Sequence, residues 1–387
     1  MKFKLLVASV ALATAQVQAG GFENARLDTS FMYDEGNLVS FGSVRKDFTV
    51  NGSSFGTTGS LIGDRNASNL SARYEVNEQL SFGLTSYDSG AIHINYQGAG
   101  ASAALGPTGV AVNAAGPKVD LTSQSVALMG RYAFNENFSL TGGIRRDKFD
   151  VESADIFQLQ GGTEPTVSSE SDIVPILAVA YERPDIALRL EVLHQGKSYV
   201  EMPTTCGMAT LVSLLSLPDC PPNSTGGLAE YTTINFQTGI MEDTLLLASI
   251  HKGKWSASQL SVADTGAAFT IPSPPAAAAT PVDQTGPTSA FSDSTEYSLG
   301  IARRLSESLA VSATYNWEKA GDRTTGSLFT VNDGYKGITL GVRYTIEDVE
   351  LSVGYNRTKL GKVTYNGINE LSGNTVTAIG AKATLRF

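Results

Sequence analysis

Cys206 and Cys220 bracket an apolar run, Met208, Leu211, Val212, Leu214, Leu215 and Leu217, in a stretch that otherwise reads as an exposed loop. Loops that face water are normally polar, and an aliphatic cluster on one marks a binding surface. Leu211, Leu214 and Leu215, and less closely Met208 and Leu217, are spaced by three or four, the period of a short amphipathic helix. Two readings follow: capture of an apolar molecule, or a loop core covering what lies beneath it and stapled against proteolysis. A second group, Arg145, Arg189, Arg343 and Lys382, falls on the polar faces of alternating segments, where a cation can pair with a carboxylate. Glu191, Glu296, Glu318 and Glu350 fall on such faces too, so an internal ion-pair network is the competing reading. Catalytic chemistry finds little to work with. His194 and Ser198 are too far apart at strand spacing for direct contact, and no Gly-rich cradle leads from a strand into a helix. Two cysteines and three scattered histidines (His93, His194, His251) make no transition-metal site, and no cofactor is implied.

The elements that must hold these residues read as strands. At the C-terminus Ile379, Ala381, Ala383, Leu385 and Phe387 share one face, and Ala378, Gly380, Lys382, Thr384 and Arg386 share the other. Similar alternation places strands near 37–50, 66–76, 79–96, 121–134, 138–150, 172–182, 186–198, 231–241, 245–256, 293–304, 309–319, 335–346, 349–360 and 376–387. Short polar turns at Asn77–Gln79, Asn135–Asn137, Glu182–Asp185, Met241–Thr244, Leu305–Ser308 and Ile346–Asp348 join them in pairs. The remaining connections, near 51–65, 97–120, 155–171, 199–230, 257–292, 320–334 and 361–375, are long. An even strand number, lengths near the 9–11 residues of a tilted crossing, and short turns opposite long loops describe an outer-membrane barrel. The expected fold is all-β: a 14-stranded antiparallel transmembrane β-barrel over residues 37–387.

The N-terminus supplies the address. Met1-Lys-Phe-Lys4 is basic, Leu5 to Ala13 is apolar, and Val17 and Ala19 are small, which makes residues 1–19 a secretory signal peptide cleaved after Ala19. Its apolar core is too short to span a bilayer, and no later stretch offers about 20 apolar residues in a row. In an exported chain the two cysteines read as one disulfide. Removing Lys2 and Lys4 leaves 26 basic against 38 acidic residues, a net charge of −12 that argues against nucleic acid as a partner. Residues 20–36 precede the first strand. A fourteen-stranded barrel is wide enough to leak unless occupied, so this segment is expected to fold back as a lumenal plug.

Several stretches resemble the FadL-type outer-membrane transporters of long-chain fatty acids and other hydrophobic compounds. They are Tyr231–Ile240 running into Asp243–Leu247, Glu296–Arg303, Phe134–Phe138 with Gly142–Ile144, Asp333–Tyr335 with Leu340–Gly341, and Tyr33–Asn37 followed by Val39–Gly42. The chain lacks the Asn-Pro-Ala that many members carry in the hatch, and its hatch is short. The resemblance implies a lumenal hatch at 20–36 and an outer capture site for an acyl chain in the Cys206–Cys220 loop. It also gives the third strand, 79–96, a meaning. That strand is interrupted by Asp88, Ser89 and Gly90, and an inward kink there would open a side window into the membrane. The alternative is a strand that projects past the membrane with a turn at its rim.

The expected function is passive, hatch-gated uptake of fatty acids or other hydrophobic small molecules with lateral release, in the outer membrane of a Gram-negative bacterium. Outer-membrane lipid and the barrel-assembly machinery, through the strand ending at Phe387, are the other expected partners. No enzyme activity is expected. The rivals are a general diffusion porin for small polar solutes, a barrel enzyme, and an adhesin or structural barrel.

Overall fold

The computed structural model describes residues 21–51, 60–95, 118–155, 166–205, 223–262, 289–320, 324–325, 329–365 and 369–387. The expected signal peptide, both cysteines and the apolar residues between them lie outside these. The fourteen strands of one closed barrel are β1 (Leu38–Thr49), β2 (Arg65–Glu75), β3 (Leu80–Asn95), β4 (Lys118–Ala133), β5 (Phe138–Asp155), β6 (Glu170–Arg183) and β7 (Leu188–Gln195), then β8 (Tyr231–Met241), β9 (Thr244–Gly253), β10 (Ser294–Arg304), β11 (Leu309–Glu318), β12 (Tyr335–Ile346), β13 (Val349–Leu360) and β14 (Thr375–Arg386). Each pairs antiparallel with its neighbour in sequence, and β1 closes onto β14 from Leu38 opposite Arg386 to Thr49 opposite Thr375. Most strand ends fall within two or three residues of those read from alternation. The exception is β5, which runs to Asp155, five residues past the expected end.

Side chains alternate between the two surfaces as the sequence requires. On β12, Ile338, Leu340, Val342, Tyr344 and Ile346 are exposed outward, while the residues between them turn inward. β13 and β14 continue this apolar exterior with Leu351, Val353, Tyr355, Ile379 and Leu385. So much apolar area facing outward is stable only against lipid, and a closed barrel satisfies every ladder hydrogen bond there. Among the described residues no helix is long and apolar enough to cross a membrane; the strands do so. The molecule is an outer-membrane barrel of a Gram-negative bacterium, its short turns on the periplasmic side and its long connections outside.

The outer connections carry more order than their sequences suggested. Thr166–Val167, Val200–Thr205 and Asn223–Gly226 form one three-stranded sheet, and Thr324–Thr325, Val363–Tyr365 and Asn369–Leu371 form another. Beneath them an apolar core centred on Trp255, Phe291, Leu61 and Val376 fills the outer end of the barrel.

Candidate functional site

Residues 21–36 run inside the barrel. Ser30–Tyr33 make one turn of 3-10 helix whose Phe31 and Met32 are buried against β3 and β4. That seat depends on Gly83, where a Cβ would stand 2.1 Å from the Met32 sulfur. Arg73 donates from Nε to the Met32 carbonyl at 3.3 Å. Glu191 on β7 accepts from three donors, Thr29 Oγ1 (2.9 Å), Tyr33 Oη (2.8 Å) and Asn235 Nδ2 (2.8 Å). Burial first, and then this carboxylate, hold the Tyr33 hydroxyl protonated, well above its ordinary range. Higher up, Arg26 pairs with Glu23 at 3.0 Å and with Glu296 on β10, which also accepts from Tyr335. Burial alone would raise the Glu23 carboxyl. His251, 3.3 Å away, and Arg26 outweigh burial and hold it down to about 2. A buried charge is tolerable only when matched in this way.

The first residues of the segment close a gap in the wall. β2 and β3 pair only from Asn69–Tyr87 down to Glu75–Ser81. Above that level β3 takes a bulge: Asp88 faces Gln124 of β4 and Gly90 faces the next residue, Ser123, leaving Ser89 between. The edges of β2 and β3 meet again at Ile62 and Ile94. Between these levels the N-terminal segment acts as a short inserted strand. Glu23 bridges Gly90, the Asn24 amide donates to the Ser89 carbonyl (2.8 Å), and the Ala91 amide donates to the Phe22 carbonyl (2.9 Å). The Asn24 side chain donates across to the Asn66 carbonyl of β2 at 3.2 Å. Asp88 ties the same edges, its Oδ2 accepting from both the amide and hydroxyl of Ser68 at 2.8 Å. The Phe22 ring lies against Gly90 and 5.0 Å from the ring of Trp255. The third strand therefore bulges at 88–90 and runs on to Asn95.

Below the gap lies a cavity of about 310 Å³ enclosed by the segment, β1–β3, β7–β12 and β14. Its wall mixes hydroxyls and amides, among them Thr233, Asn235, Ser249, Ser298 and Thr314, with apolar side chains such as Leu27, Val44, Phe236 and Leu247, and carries Arg26, Asp28, Arg189, Glu191 and Lys382 as charges. The four cations read from sequence separate here. Arg145 is wholly buried, forked onto Asp147 (2.8 Å twice) and bonded to Gln195 (2.6 Å), and does not reach the cavity. Arg343 sits at the periplasmic end with Glu350 at 3.4 Å. For these two the ion-pair reading describes the geometry. Arg189, stacked 4.3 Å over the Tyr33 ring and bonded to Gln237, borders the open space, as does Lys382, 3.6 Å from Asp28. Although burial pushes the Asp28 carboxyl up, Lys382 and Ser30 bring it below the usual carboxylate range. His194 faces outward, whereas Ser198 is buried and accepts from the Leu228 amide at 2.9 Å, so the two do not combine. Alternation could have added Lys46, which faces inward from β1 and donates to Asn24 Oδ1 at 3.0 Å. Nothing local in Phe22-Glu-Asn24 announces a role in the wall, because Lys46 lies 22 residues away and the partners across the gap 42 and more.

Three solved barrels superpose on this architecture. A FadL homologue of Pseudomonas aeruginosa gives a TM-score of 0.63 at 12% identity, covering 92% of both chains. The P. putida toluene transporter TodX gives 0.59 at 12% identity over 92% of this chain and 91% of that one. The Ralstonia pickettii toluene transporter TbuX gives 0.58 at 11% identity over 97% of each. This chain has the FadL-type fold. A family model described as TonB dependent receptor-like, beta-barrel, matches residues 11–200, just under half of the chain. No curated protein matches it. At these identities the FadL-type likeness fixes strand number and topology. Function must come from the lumen itself.

Proposed function

We propose that this FadL-type barrel admits hydrophobic small molecules, long-chain fatty acids or hydrocarbons, across the outer membrane by passive diffusion, with residues 20–36 as hatch and lateral release between β2 and β3. One observation carries the reading: Phe22–Asn24 fill a gap between β2 and β3 at the foot of the apolar outer core, and the lumen beneath carries the charges of Arg26, Asp28, Arg189, Glu191 and Lys382 among its lining residues. A methylene gains about 0.8 kcal/mol on leaving water for an apolar phase, so an acyl chain of a dozen methylenes strongly disfavours the polar route down. The nearest apolar phase is the bilayer, on the far side of the gap that Phe22–Asn24 fill. The toluene transporters of the same fold support a hydrophobic substrate class. Arg189 and Lys382 are the cations placed to meet a substrate carboxylate. Capture by Met208, Leu211, Val212, Leu214, Leu215 and Leu217 within the Cys206–Cys220 loop remains part of the proposal. The groups assembled here bind and guide.

The test is a seam. The Ser68 hydroxyl and Asp88 carboxylate touch at 2.8 Å, which brings these positions within reach of a disulfide. In S68C/D88C, uptake of radiolabelled oleate by whole cells should fall when the pair is oxidised and return on reduction, while swelling of sugar-loaded liposomes stays unchanged. Equal oleate uptake in both redox states would remove the lateral route. Rapid sugar entry with no oleate uptake by the unaltered protein would leave the porin reading.

A further inference from the structure

The outer surface carries a second recognition feature, away from the lumen. Lys336 of β12 and Lys359 of β13 are direct register partners, and Arg357 follows on the same face, opposite Ile338. All three are exposed. Like charges directly opposite in a ladder destabilise it, and among the described residues none of the three forms an ion pair. The acid at their height on this face, Asp47, stands beyond β14 and is held by Arg45 at 2.7 Å. The cations begin where the apolar face ends. Ile338 to Ile346 span eight residues, about 27 Å along the strand or about 21 Å along the barrel axis at a 40° tilt. That is close to the roughly 25 Å of a barrel's lipid belt. Beside Lys336, Trp317 of β11 stacks with Tyr297 and Tyr315 at 5.4 Å each, an aromatic group suited to the interface.

We propose that Lys336, Arg357 and Lys359 form a binding site for the phosphorylated headgroup of an outer-leaflet lipid. Height selects the ligand: its phosphates must stand just above an acyl region held against Ile338, Leu340 and Tyr355. Charge selects it too, since three unpaired cations within two strands accept a doubly charged phosphate or two phosphates on one sugar headgroup. The anion also removes the Lys336–Lys359 repulsion, so binding and barrel stability are coupled.

The purified full barrel in detergent is titrated with a bisphosphorylated acylated disaccharide, its dephosphorylated analogue and inorganic phosphate, read by native mass spectrometry and by melting temperature. The unaltered protein should prefer the phosphorylated lipid about tenfold and gain melting temperature with it. K336Q/K359Q should lose both effects, yet melt no lower than the unaltered protein without lipid. R146Q/K148Q, which removes two exposed cations from β5, should keep both. Undiminished preference in K336Q/K359Q would overturn the site, as would equal binding of the dephosphorylated lipid. Inorganic phosphate binding as tightly as the lipid would overturn the lipid as its occupant.

Discussion

Gly90 is the position at which the wall gap can be opened with least chemistry. A Cβ there would stand 2.9 Å from two carbons of the Phe22 ring and 3.2 Å from the Ser123 Cβ. Carbon contacts are comfortable at roughly 3.5–4.0 Å, so valine at this position is overpacked by half an ångström or more. Docking of Phe22–Asn24 rests on one buried phenylalanine, about 2 kcal/mol, and two backbone hydrogen bonds at about 1 kcal/mol each, some 4 kcal/mol before the ion pairs of Glu23 add to it. The gap is then unfilled in at most about one molecule in a thousand. Overpacking of about 2 kcal/mol raises that fraction roughly thirtyfold. Hydrogen exchange at the Asn24 and Ala91 amides measures it directly: both should exchange about thirtyfold faster in Gly90→Val, with Glu191's partners Thr29 and Tyr33 unaffected. Removing the obstructing ring gives the internal control. Phe22→Ala/Gly90→Val should exchange no faster than Phe22→Ala alone, because the clash has gone. Unchanged exchange in Gly90→Val, or simple additivity in the double variant, would refute the reasoning.

Arg26→Ala leaves Glu23 and Glu296 buried without their shared cation and should weaken docking by about 3–5 kcal/mol, seen as protease sensitivity of residues 21–36 in the intact barrel. Acid should act on the same group. The folded Glu23 carboxyl, at about 2, lies below its ordinary 4.5, so its contribution of about 3 kcal/mol is present above pH 4.5 and lost as pH falls from 4.5 toward 2. Exchange at the Asn24 amide, corrected for intrinsic rates, should therefore be flat from pH 7 to 5 and accelerate below, and Glu23→Gln should abolish that acceleration. Reduction of the expected Cys206–Cys220 disulfide should add two mass units. Its loss should cost the outer loop about 3 kcal/mol against local unfolding, read by limited proteolysis.

The barrel was legible because lipid imposes a rule at every second residue. Leu309, Val311, Ala313, Tyr315 and Trp317 had to share a face, and they do; the hairpin turns then fixed neighbours and left one closed topology. The lumen obeys no such period. Alternation could say that Arg145 and Arg189 point inward, but not that Arg145 meets Asp147 two residues on while Arg189 meets Tyr33 from another part of the chain. Gly90 and Asp88 were visible as an interruption, since a glycine beside an acid breaks a strand pattern. What fills the interruption was not visible, because the bond from Asn24 to Asn66 is set by the path of the segment through the barrel. The short outer strands were missed for a different reason: stretches of two to six residues are too brief for alternation to stand out from loop composition.

The N-terminal segment is anchored by two kinds of force, and they respond differently to an apolar solute. Phe22 is held by aromatic packing with Trp255 and Phe291, contacts that another apolar group can replace at little cost. Arg26 is held by Glu23 and Glu296 in a buried pocket, which no hydrocarbon can satisfy. On the proposed route, apolar occupancy of the outer core would compete with Phe22 for Trp255 and Phe291, while Arg26 would keep its pairing with Glu296. The lumen would then stay closed while the wall gap opens, so that a single short segment would separate the path of a lipid-like molecule from that of water and ions.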